Sequence, residues 1–143
     1  MLYIWHIEEI IKDTLDKHEL LINFESNNDL ETPMSYNKST DTIKFNYLQM
    51  NGYHAKMTRA AKVSEEDLVR ITLYHQIGYH LDFKHKFYDL RILMYGEDKE
   101  QEVLRAKIDG NAWERGRTLV PEELLSSYDK VRELEQPPQK NKA

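Results

Sequence analysis

Apolar residues recur at Ile4, Ile7, Ile11 and Leu15, with Glu8, Lys12, Asp16 and Glu19 around them. That three-to-four spacing predicts an amphipathic helix at the start of the chain. Trp5, at its beginning, is expected to pack against the core. Leu20-Leu21-Ile22-Asn23-Phe24 is short and apolar and predicts a first strand, followed by the polar turn Ser26-Asn27-Asn28-Asp29. From Met34 to Asn46 two short extended pieces flank a polar turn, with Thr42, Ile43, Phe45 and Tyr47 supplying β-branched and aromatic content. A long helical pattern begins near Ser64, whose hydroxyl can cap while Glu65, Glu66 and Asp67 complement the positive helix end. It runs to residue 85 and presents Leu68, Ile71, Thr72, His75 and Tyr79 along one side. Tyr95-Gly96-Glu97-Asp98 breaks the chain before another helix from Lys99 to Arg117, with Leu104, Ile108 and Ala112 inward. Pro121 suits the first turn of a last helix, Glu122 to Glu135. The polar, proline-containing stretch 136–143 is expected to be disordered.

The chemistry most worth reading sits on the 64–85 helix. In the H-E-x-x-H arrangement two His four residues apart ligate zinc, and the Glu acts as general base. Here His75 holds the first ligand position, Gln76 stands in place of the Glu and Tyr79 in place of the second His. Gln76 can orient a water but cannot take its proton. Tyr79 must lose a proton of pKa about 10 before it binds metal well. His80 does not repair the site, because positions 75 and 80 lie about 140° apart around a helix while 75 and 79 lie about 40° apart. His85 is turned about 80° away, and His6, His18 and His54 show no ligand spacing. Taken alone, the stretch also reads as an ordinary amphipathic turn.

The flanking residues add to it. The extended pieces between Met34 and Asn46 precede the helix, and Asp109-Gly110-Asn111-Ala112-Trp113-Glu114-Arg115-Gly116-Arg117 follows it on the next one. Together, from about Leu30 to Tyr128, they resemble the ImmA/IrrE-like, gluzincin-type zinc metallopeptidases of phages and other mobile elements. The resemblance implies a zincin-like α+β fold, a short mixed sheet packed against about four helices, in a single domain over residues 1–135. It also implies a third, acidic ligand three residues before an Ala-Trp pair, which is where Asp109 stands, one methylene shorter than the expected Glu. Glu102 fits that place less well. His75 and Asp109 are then expected to face each other across a small cleft. Gly78, a costly residue inside a helix, is expected to admit another backbone element close to the helix.

Three functions remain open. The first is a catalytically inactive zincin-like protein, without metal or cofactor, that binds a protein partner through the unused cleft. Tyr74, Tyr79, Tyr88 and Trp113 are of residue types favoured at interfaces, and Tyr79, Tyr88 and Trp113 are the candidate contacts. Here the resemblance suggests a regulatory or host-interaction role in a phage or plasmid. The second is a working metallopeptidase with an atypical His75, Tyr79 and Asp109 set. The third is a small DNA-binding regulator, against which the charge argues: 20 basic and 25 acidic residues give a formal net charge of −5. Two local basic groups, Lys56, Arg59 and Lys62 and then Lys84, His85 and Lys86, read as solvated faces. The chain has no cysteine, which fits a reducing cytoplasm. No apolar run is long enough to span a membrane. The apolar start is cut short by Glu8-Glu9 without a basic leader, so it is not expected to be a signal peptide.

Overall fold

The computed structural model describes residues 1–135, and the segment 136–143, expected to be disordered, lies outside the described residues. The first periodic stretch forms α1 (Ile4–Lys17), which buries Ile7, Ile10, Ile11 and Leu15 as its spacing requires. Trp5 does not join them. It is 63% exposed and stacks on His6, because it falls on the polar side of the stripe. The first strand also differs from expectation. Glu19 adopts a left-handed backbone (φ 53°) that ends α1, and Leu21 is left almost fully exposed. Pairing therefore starts only at β1 (Asn23–Ser26).

The two extended pieces become β2 (Met34–Asn37) and β3 (Thr42–Phe45). The sheet is mixed and three-stranded, in the order β1-β3-β2. β1 runs parallel to β3, with Phe24 opposite Ile43, and β2 runs antiparallel to it, with Tyr36 opposite Ile43. β3 is thus central, with Ile43 and Phe45 fully buried, while β2 keeps one edge without a strand partner among the described residues.

Next comes a helix that the sequence pattern did not announce, α2 (Tyr47–Ala61). The Asn46 side chain caps it by accepting from the Leu48 and Gln49 backbones, so Tyr47 belongs to a helix and not to a strand. Only Met50 and Met57 of α2 are buried, too narrow a stripe to show a clear period. α3 (Glu65–His85) starts at Ser64 as expected, the hydroxyl accepting from the Asp67 backbone. A short α4 (Ile92–Tyr95) that the sequence pattern did not announce comes first, and the expected break follows it at Gly96 and Glu97, both extended. α5 (Asp98–Arg117) begins with a capping box between Glu97 and Glu100, and α6 (Glu122–Glu135) completes an α+β chain with six helices among the described residues.

α3 is the hub. It packs on α1, α2, β2 and α6, and most extensively on α5. Two glycines set that last contact. A Cβ on Gly78 would lie 1.8 Å from the Ala112 carbonyl oxygen, and one on Gly116 would lie 2.1 Å from the Tyr74 carbonyl oxygen. Each helix therefore presses its backbone into a notch on the other, the close approach expected of Gly78. No helix among the described residues is long and apolar enough to cross a membrane.

Candidate functional site: a cleft between the edge strand and the central helix

The α3–α5 contact brings one turn of each helix face to face. His75 and Tyr79 are four residues apart on α3 and point the same way, toward Asp109 on α5. His75 Nε2 lies 2.8 Å from Asp109 Oδ1, and the Tyr79 hydroxyl donates to the same oxygen at 2.7 Å. An ionised carboxylate only accepts, so His75 also donates here, through Nε2–H. Burial raises the Tyr79 pKa far above the ordinary phenol value, and the bond to Asp109 and its charge push the same way. The phenol is therefore held protonated.

The His75 ring is fixed from its flat side as well. Trp113, one turn after Asp109 on α5, stacks on it with ring centroids 3.9 Å apart and planes 12° apart. The Trp113 indole N–H is buried and has no hydrogen-bond partner among the described residues. Such a group costs on the order of 1–3 kcal/mol, so stacking and packing set this ring's position, not polar contact.

His75, Tyr79 and Trp113 line a cleft of about 470 Å³, with Asp109 behind them, bonded to His75 and Tyr79. Its opposite wall is β2, through Met34, Ser35 and Tyr36, and Gln76 and Thr72 of α3 lie on the helix side. Gln76 is buried. The four sequence positions of the degenerate motif, His75, Gln76, Tyr79 and Asp109, are thus gathered at one place. The expected anchors fare less well. Trp113 and Tyr88 are buried, at 3% and 7% exposure, and Tyr74 at 2%, so none of them presents an exposed ring. Trp113 is held between His75 and Tyr128, Tyr88 is bonded to the buried Asp82, and Tyr74 lies inside the α1–α3 contact near His18. Of these four tyrosine and tryptophan residues, Tyr79 alone is more than marginally accessible. Glu102 is exposed on α5 and does not line the cleft.

His80 turns away from this site, as its angle around α3 requires, into a second set of the same residue types. The Tyr36 hydroxyl donates to Asp41 Oδ1 at 2.7 Å, and His80 Nδ1 lies 2.7 Å from the same oxygen. Burial opposes ionisation of Asp41. The bonds from Tyr36 and His80 and the nearby His80 and Lys84 charges outweigh it, so the carboxyl stays below its usual range. Asp41 closes the turn between β2 and β3 with a left-handed backbone (φ 49°). The bond to His80 therefore ties the cleft's β2 wall to α3. The sequence reading missed this set, because Asp41 and His80 are 39 residues apart and nothing local relates them.

The residues do not fit a catalytic zinc, which takes three protein ligands and a water. Nε2 of His75 faces Asp109 and would have to give up that hydrogen bond before it could bind a metal. Asp109 Oδ1 already accepts two donors, and the phenol between them stays protonated. No carboxylate stands at position 76 to act as base. Among the described residues no three His, Cys, Asp or Glu side chains converge on a point. Compared with models of protein families, with curated proteins and with solved structures, the chain matches none.

Proposed function

We propose that this chain is a zincin-like scaffold without hydrolytic chemistry that acts by holding an extended segment of a protein partner in the cleft between β2 and α3. The observation that carries the reading is the single oxygen of Asp109 bridging His75 and Tyr79. Side chains at the three positions that serve a metal in the family this sequence resembles here bond to one another. The cleft that remains supports a binding role. One wall is the free edge of β2, whose backbone groups can pair with an added strand, and alternate side chains of that strand would then enter the cleft.

Photocrosslinking tests it. A benzophenone amino acid replacing Ser35, which lines the cleft, should crosslink to a protein in the cell that naturally makes this chain. The same group replacing Leu21, 95% exposed on the α1–β1 connection, should not. Capture from Leu21 and none from Ser35 would place the partner surface elsewhere and end the cleft reading.

A further inference from the structure

A second concavity lies at the C-terminal end of α3 and shares no lining residue with the cleft. It measures about 230 Å³. Lys38 reaches it from the β2–β3 turn, Lys84, His85 and Lys86 from the end of α3, and Phe87 from the segment beyond. Among the described residues, the ion pairs that lysines make are those of Lys12 and Lys130. Lys38, Lys84 and Lys86 have none among the described residues. Asp41, whose carboxylate feels the Lys84 charge, is already engaged by Tyr36 and His80. In a chain of net charge −5, three cations without an ion-pair partner among the described residues therefore face one small pocket, Lys38 and Lys86 lying over the Phe83 and Tyr88 rings.

Helix polarity explains only part of this. Lys84 and His85 in the last turn suit the negative end of α3, but Lys38 comes from another element. Phe87 is harder still to assign to folding, since it is 90% exposed. Its neighbours hold it out. The Lys86 backbone N–H caps α3 on the Asp82 carbonyl at 2.8 Å. On the other side, Tyr88 is buried and donates to the Asp82 carboxylate, which Arg115 also approaches, while Asn111 donates to the Tyr88 hydroxyl. A ring between two such anchors is displayed by a fixed backbone.

We propose that this pocket is a docking site for single-stranded nucleic acid, the lysines taking backbone phosphates and Phe87 stacking on a base. Cations along a groove with a displayed aromatic ring are the combination that such strands need, because every unpaired base offers a flat face. An acidic peptide would use the lysines but has no face for Phe87. A membrane surface suits a convex patch better than a pocket. The net negative charge argues against nucleic acid only as an average over the whole chain. The charge at this pocket has the opposite sign.

Fluorescence anisotropy of a short fluorescein-labelled single-stranded oligonucleotide titrated with the full chain tests it. If about three phosphates are neutralised, the logarithm of the affinity should fall against the logarithm of salt with a slope of about −2. Phe87→Ala should weaken binding about tenfold, and Phe87→Trp should keep it. Lys38→Ala, and Lys84→Ala with Lys86→Ala, should each weaken binding and flatten the slope by about 0.7 per lysine. All four side chains are exposed, and circular dichroism checks that each variant folds. The proposal fails if polyglutamate competes as well as the oligonucleotide. It fails equally if duplex DNA binds as tightly as the single strand with no effect of Phe87→Ala. Binding to phosphatidylserine vesicles without binding to the oligonucleotide, or no salt-dependent binding at all, would also overturn it.

Discussion

At Asp109 one oxygen accepts from two side chains, and the consequence is chemical. With Tyr79 protonated and the Nε2 of His75 turned toward Asp109, the three side chains form a hydrogen-bonded set in place of a set of metal ligands. Two substitutions should turn the set into a metal site. Tyr79→His supplies a second imidazole on the face of His75, and Asp109→Glu extends the carboxylate by the missing methylene. The double variant should take up zinc in a one-to-one ratio, measured by inductively coupled plasma mass spectrometry on untagged protein after dialysis, while the unmodified chain retains none. Adding Gln76→Glu supplies a base, a group commonly worth about 10²–10⁴-fold in rate, so only the triple variant should gain measurable peptidase activity. One equivalent of zinc on the unmodified chain, lost on His75→Ala, would show instead that the residues present do make a metal site.

Between elements, the α3–α5 contact is the one with least tolerance. Gly78→Ala would drive a methyl into the Ala112 carbonyl, backbone against backbone, with no flexible side chain to yield. Overpacking of this kind costs about 1–3 kcal/mol and sometimes more, and here the upper part of that range is expected. Gly52, in α2, is the contrast, since a Cβ there meets nothing within 4 Å. Gly52→Ala should stabilise by up to about 1 kcal/mol through helix propensity alone. Urea denaturation of the two variants measures both, and equal effects would mean that the helices are less closely apposed than described. Sequence patterns resolved these elements in proportion to how much of one face each one buries. α1 has a regular apolar stripe, α3 has Ser64 and three acids at its start, and both were legible. α2 buries only Met50 and Met57 and was not. The gathering of His75, Tyr79 and Asp109 could be anticipated from spacing within α3 and a family pattern on α5. The burial of Trp113 and Tyr88 could not, because exposure follows from what packs on a ring and not from its type. Nor could the Asp41–His80 tie, which exists only once the β2–β3 turn has been laid against α3.

Across the whole chain, one cluster of buried side chains runs from Leu2 through Ile43, Phe45 and Leu68 to Tyr128 and Val131, without a break between sheet and helices. Strands of four residues in a three-stranded sheet have little stability of their own. β3 is held because Ile43 and Phe45 belong to that shared core. The sheet should therefore not survive loss of the helices, and the chain, under 150 residues, should unfold in a single step. The two tryptophans allow a direct test. Trp5 is exposed and stacks on His6, so Trp5→Phe should change stability by no more than about 0.5 kcal/mol. That leaves Trp113, buried at the α3–α5 contact, as the only indole reporter. Urea unfolding of this variant followed by Trp113 fluorescence should coincide in midpoint and steepness with unfolding followed by far-ultraviolet circular dichroism. If fluorescence changed at lower urea, the α3–α5 contact would open while the rest stayed folded. The cleft would then rest on a separable pair of helices, and the closed set at Asp109 would belong to a local equilibrium and not to the fold as a whole.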